Sequence, residues 1–138
     1  MQVCTNLTFD GGCEEAFAVY ARVIGGSVTF AVHYRDSPMA GTVTDAWAFK
    51  IAHATLTFPD GSRLFGSDPP PAAYERPRGF TLTVNPPDAA TASAMFAALA
   101  EGGLITQPLE STFWSAAFGT LIDRFGIPWA INCEAPQA

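Results

Sequence analysis

Two glycine pairs, Gly25-Gly26 and Gly102-Gly103, each close a segment that reads as a strand followed by a helix, and each is followed by three more strand-like runs. A chain written this way is constrained to fold as two copies of one small unit. In the first copy, Val3 to Phe9 alternates apolar Val3, Leu7 and Phe9 with more polar neighbours, the two-residue period of a half-buried strand. After the Asp10-Gly11-Gly12 turn, Ala16, Phe17, Tyr20, Val23 and Ile24 recur at helical spacing, and Gly25-Gly26 supplies a left-handed cap at little cost. Ser27 to Tyr34 predicts a strand, Arg35 to Asp45 an irregular loop, and Trp47 to Phe58 a second strand. The Pro59-Asp60-Gly61 turn then leads into a third at Arg63 to Ser67. The second copy opens with the alternation of Phe80, Leu82 and Val84. Pro86-Pro87 ends that strand, Asp88 is placed to cap a helix, and Ala92, Met95, Phe96 and Leu99 form the stripe to be buried. Strands follow at Leu104 to Leu109, Thr112 to Ile122 and Ile127 to Asn132.

The expected fold class is therefore α+β: two paired βαβββ modules, residues 1–68 and 79–133, in a single domain of residues 1–138, joined by a Pro-rich linker at 69–78. One such unit leaves the sheet face opposite its helix uncovered. Pairing two curved units into a mixed sheet around a cleft solves this, and a cleft of that kind suits a small ligand. Hydrophobic residues at 49% and charged residues at only 14%, against a usual charged share of roughly 25%, require a buried core and exclude a disordered or coiled-coil chain. The net charge of −6 argues against nucleic acid or an anionic membrane as a partner. No apolar run reaches the roughly 18 residues of a membrane helix, and the first residues carry no basic leader, so a cytoplasmic location is expected. Cys4, Cys13 and Cys133 are an odd number without metal-binding spacing, and are expected to be reduced.

Several runs narrow the family. Cys13-Glu14-Glu15-Ala16-Phe17 with Tyr20 and Gly25-Gly26, then Ile51-Ala52-His53-Ala54, then Ser67-Asp68, resemble the PhnB-like family of the vicinal oxygen chelate superfamily, which contains glyoxalase, bleomycin-resistance proteins and extradiol dioxygenases. The most specific stretch runs from Thr112-Phe113-Trp114 through Phe118-Gly119 to Asp123-Arg124-Phe125-Gly126-Ile127-Pro128-Trp129-Ala130-Ile131-Asn132. The resemblance implies a homodimer with a small-molecule cleft and no defined substrate. Some members carry a label naming 3-demethylubiquinone-9 3-methyltransferase. This chain has no strand followed by a glycine-rich loop and a helix to hold an adenosyl cofactor, so no cofactor is expected.

Metal-dependent members of the superfamily hold a divalent ion with His and Glu from the first and fourth strands of each module. By resemblance those positions fall near Cys4, Leu64 to Gly66, Gly79 or Phe80, and Ala130, of which only Cys4 can ligate. No metal is expected there. His53 shares a strand face with Thr55 and Thr57 and is the candidate to orient a ligand or act as a general base, while His33 lies near a loop entrance and reads as surface. Cys4, Asn6, His53, Asp68, Thr81, Trp114 and Trp129 form the expected ligand-binding set, with Thr83 and Asn132 as further neutral hydrogen-bonding groups. Glu110 and Asp123 flank the Trp114 strand as spare carboxylates. The leading expectation is a small-molecule binding protein. The alternatives are a metal-dependent lyase or isomerase with a relocated site using His53 with Asp68 or Glu110, and a homodimer that acts only through its surface.

Overall fold

The computed structural model describes residues 1–134. These form two compact units, Met1–Arg76 and a second that begins at Pro77. The first contains β1 (Thr5–Thr8), α1 (Cys13–Ile24), β2 (Ser27–His33), β3 (Ile51–Thr57) and β4 (Arg63–Ser67). Its sheet runs β1-β4-β3-β2, with β1 parallel to β4 and the other pairs antiparallel. The second contains β5 (Leu82–Val84), α2 (Ala89–Ala100), β6 (Leu104–Glu110), β7 (Ser115–Ile122) and β8 (Pro128–Glu134). Its order, β5-β8-β7-β6, repeats the first with the same parallel and antiparallel pairs. Each unit is a βαβββ module with its own four-stranded mixed sheet.

The helices sit where the apolar spacing requires. α1 buries Cys13, Ala16, Phe17, Val19 and Tyr20, which meet Leu7, Phe9, Ala54, Leu56 and Leu64 from the sheet. Each large side chain so buried contributes about 1.5–3 kcal/mol. Gly66 is the position on β4 that lets α1 come close: a Cβ there would lie 2.5 Å from Phe17 Cζ and 2.9 Å from Cys13 Sγ. The helix stops as its sequence predicts, with Gly25 left-handed at φ 101° and donating to the Ala21 carbonyl. α2 buries the predicted stripe of Ala92, Met95, Phe96 and Leu99, and the Asp88 carboxylate caps it by accepting from the Thr91 N–H at 2.7 Å. Among the described residues, no helix is long and apolar enough to cross a membrane.

Several boundaries move for identifiable reasons. β3 starts at Ile51 rather than Trp47, because Trp47 ends a short 3-10 turn and turns its indole N–H onto the Asp68 carbonyl at 3.1 Å. β7 starts at Ser115 rather than Thr112, because the Thr112 hydroxyl accepts from the N–H groups of Trp114 and Ser115 and holds a turn there. β5 keeps only Leu82–Val84, between a left-handed Gly79 and the Pro86-Pro87 pair. The expected loop after β2 is three successive 3-10 turns, at Tyr34–Asp36, Ala40–Thr42 and Asp45–Trp47.

Candidate functional site

In the first unit, Gly66 faces α1, so the alternation of the strands sends Phe65 to the opposite face. The register then lays a row across that face: Asn6 beside Phe65, Phe65 beside Thr55, and Thr55 beside Phe30. His53 lies on the same face next to this row, paired across strands with Val32. Its ring sits between two aromatic rings, 5.2 Å from Phe65 and 6.0 Å from Phe30, both tilted against it. Beyond Phe65, the Arg63 guanidinium lies over the ring at 5.4 Å and donates to Gln2 Oε1 at 2.8 Å. The hydroxyls of Thr29 and Thr57 bond across β2 and β3 at 2.9 Å. An imidazole bracketed by Phe30 and Phe65, with Asn6 and Thr55 in reach of the same face, can hold a flat apolar molecule and orient one polar group on it.

Cys4 lies one residue ahead of β1, half-buried, in an open groove of about 420 Å³ walled by Gln2–Thr5 and Asp60–Arg63. His33 ends β2 at the surface and pairs with Glu14 Oε1 at 3.3 Å.

Asp68 does not share the face of His53. Its side chain turns under α1 and is buried, and its two carboxylate oxygens accept from the N–H groups of Cys13 (3.0 Å) and Ile51 (2.9 Å). Its carbonyl accepts from the Tyr34 hydroxyl at 2.7 Å and the Trp47 indole at 3.1 Å. Burial pushes the Asp68 carboxyl up from the ordinary carboxylate range, against the downward pull of the Ile51 and Cys13 N–H groups and of Lys50. Burial, with Asp68 alongside, pushes the Cys13 thiol up as well. Asp68 therefore ties backbone together and is removed from the ligand-binding set. So is Trp129, which is buried in the second core with its indole N–H on Asp123 Oδ2 at 2.9 Å. Asp123 is no spare carboxylate either, since its Oδ1 accepts from the N–H groups of Phe125 and Ile127 in the β7–β8 turn.

In the second unit, Gly119 faces α2, and Phe118 and Thr120 point the other way. Phe118 pairs with Asn132 and with Glu110, and Thr120 pairs with Ala130, which pairs in turn with Thr83. Trp114 stacks edge-on against Phe118 at 5.5 Å and stays half exposed, so it is available to a flat ligand. Thr81 is exposed one residue ahead of β5. Asn132 donates to Asn85 Oδ1 at 3.2 Å.

By the resemblance, the ion positions of metal-dependent members fall near Cys4, Leu64 to Gly66, Gly79 or Phe80, and Ala130. One thiol among apolar side chains is not a divalent-ion site. Among the described residues no three His, Cys, Asp or Glu side chains converge as an ion requires. A relocated site built on His53 and Asp68 is ruled out by their lying on opposite faces of the sheet. Phe30 and Phe65, the rings beside His53, were not among the sequence-predicted residues. Alternation alone does not mark them, because what brings Phe30 and Phe65 to His53 is the pairing of both with Thr55 across strands.

No family model matches the chain. Protein YjdN of Escherichia coli (strain K12) is 31% identical over 145 residues, covering 99% of this chain and 98% of YjdN. Among solved structures, protein PA1353 from Pseudomonas aeruginosa is 40% identical with a TM-score of 0.87, over 97% of this chain and 98% of that one. A putative 3-demethylubiquinone-9 3-methyltransferase, PhnB protein, from Bacillus cereus is 23% identical with a TM-score of 0.80, over 96% and 99%, a likeness of fold. Glyoxalase family and glyoxalase/bleomycin resistance/dioxygenase proteins of lower identity share that fold.

Proposed function

Because the chain belongs to one family with YjdN and shares its fold with PhnB and glyoxalase proteins, we propose that it is a PhnB-like small-molecule binding protein of the vicinal oxygen chelate superfamily that works without that superfamily's divalent ion, with the face around His53 as a principal contact for its ligand. The observation that carries this reading is the bracket itself: an imidazole held between Phe30 and Phe65, beside Asn6 and Thr55. Aromatic walls supply apolar contact to a flat ligand, and the neutral polar groups fix its orientation. The His53 ring nitrogens can donate or accept a hydrogen bond, so His53 is the group that would orient a polar substituent of the ligand. On the second unit, Trp114, Phe118 and Asn132 offer a similar mixture.

Titration with a panel of small aromatic fragments, followed by NMR, tests the assignment. Shifts are expected at the His53 ring protons and at Phe30 and Phe65, with H53Q weakening the same fragments. Shifts that avoid these three residues would overturn it. Metal analysis of protein purified without chelator tests the other half: a stoichiometric divalent ion would sink the metal-free reading.

A further inference from the structure

Arg63 opens β4, and alternation along that strand puts it on the face of Phe65, away from Leu64 and Gly66 on the α1 side. The register fixes its surroundings. Thr57 lies across from it on β3, and because β1 runs parallel with Thr5 beside Leu64, Cys4 falls level with Arg63 on the other flank. Thr55 lies across from Phe65, so His53, the next residue of that face along β3, lies past Phe65 from Arg63. The order along the face is guanidinium, phenyl ring, imidazole. Arg63 Cζ is 5.4 Å from the centre of the Phe65 ring, and that centre is 5.2 Å from the centre of the His53 ring. Acidic residues outnumber basic ones thirteen to seven in this chain, yet among the described residues Arg63 takes part in no ion pair. It donates to Gln2 Oε1 at 2.8 Å, a neutral acceptor on an exposed residue. Asp60 lines the same open groove as Arg63, but its Oδ1 is turned onto Ser62, accepting from the N–H at 2.9 Å and the hydroxyl at 2.6 Å.

We infer that the molecule taken by the face around His53 is a flat aromatic acid, laid on Phe65 with its carboxylate on the Arg63 guanidinium and its other end at His53. The inference rests on that face being a ligand site, and adds the ligand's charge to it. A guanidinium is a planar fork of N–H donors that matches the two oxygens of a carboxylate, and the bond to Gln2 and the packing over Phe65 hold it in place while engaging only part of the fork. Half-buried at the edge of an open groove, Arg63 can be reached from outside the fold. A chain with a net charge of −6 repels anions at long range, so a preference for one has to come from a local cation.

The test compares 2-naphthoate with 2-naphthamide, which has the same rings and no charge, by NMR titration at neutral pH. The wild type is expected to bind naphthoate about tenfold more tightly, with shifts at Phe65, His53 and the Arg63 side-chain N–H. In R63Q the two probes should bind alike, and R63K, which keeps the charge without the fork, should retain only part of the preference. The preference is a ratio within one protein, so a general weakening of the variant does not imitate its loss. Equal binding of both probes at Phe65 and His53 in the wild type overturns the aromatic-acid assignment and leaves the face as a ligand site. Binding of neither probe there overturns both. A preference that persists in R63Q gives the charge to another residue and overturns the role of Arg63. If R63Q does not fold, R63K decides: an undiminished preference in it overturns the forked contact.

Discussion

Asp68 and Asp123 do the same work in the two units: each is a buried carboxylate that gathers N–H groups where the chain changes direction. Removing such a carboxylate strands its donors in a place water does not reach. D123A leaves the N–H groups of Phe125, Ile127 and the Trp129 indole without that partner, and should cost about 3 kcal/mol or more in urea unfolding followed by tryptophan fluorescence. Asp68 adds a pH signature. Burial holds its carboxyl above the ordinary carboxylate range, so the fold favours the neutral acid. The stability this contributes is whole below the ordinary range and is lost as pH rises through the raised pKa. Wild-type stability should therefore fall relative to D68N across that window, and a difference independent of pH would refute the assignment. Gly66 makes a steric prediction. G66A puts a methyl group 2.5 Å from Phe17 Cζ, against a rigid ring and a strand, and should destabilise by about 1–3 kcal/mol in the same assay. Asn6 and His53 are legible as strand-face polar residues from alternation alone. That Phe30 and Phe65 bracket the imidazole is not legible, because it depends on which strand lies beside which.

The two helices are alike in length and differ in how they begin. α2 takes its cap from Asp88, three residues before the N–H it accepts from, and the signal is local enough to read in the chain. α1 has Gly12 at the same position and no side-chain cap there. The acceptor for its first N–H is Asp68, 55 residues away, so nothing near Gly12 announces it. D88A should fray α2 from its start, seen as faster amide exchange at Thr91 and its neighbours. The Thr91 N–H holds the Asp88 carboxyl below its ordinary range, so the cap's contribution is present above that range and fades as pH falls through the lowered pKa. Protection at these amides, relative to their intrinsic exchange at each pH, should then fall in the wild type in strong acid and stay constant in D88A. Strand boundaries follow a similar rule. β4 begins and ends where its alternation does, whereas β3 gives up Trp47 to a turn because the indole is drawn to the Asp68 carbonyl.

At the scale of the whole molecule, β1, β2, β5 and β6 are the outer strands of the two sheets, and β2 and β6 expose apolar side chains: Val28 and Phe30 on the first, Leu104 and Ile105 on the second. Both are interrupted by register shifts, and β6 carries Pro108, which lacks a donor and suits an edge. Such surface on a chain of 138 residues with 49% hydrophobic content favours the expected homodimer, in which a second copy covers part of it. Light scattering is expected to give twice the 14.6 kDa chain mass at micromolar concentration, with V28K or I105K shifting it toward the monomer. A wild type that scatters as a monomer would exclude the homodimer.

The chain by itself determined the duplication, the α+β class, the end of α1 at its glycine pair, and the cap and buried stripe of α2. All of these rest on residue type and on spacing of a few positions, which the backbone converts directly into turns, faces and caps. Tertiary structure alone decided that Asp68 and Trp129 turn inward, that His53 is bracketed by two phenylalanines, and that the loop after β2 is fastened to the far end of β4. Each of those depends on partners that lie tens of residues apart and are brought together by strand order and register, quantities that the order of the amino acids carries only through the folded whole.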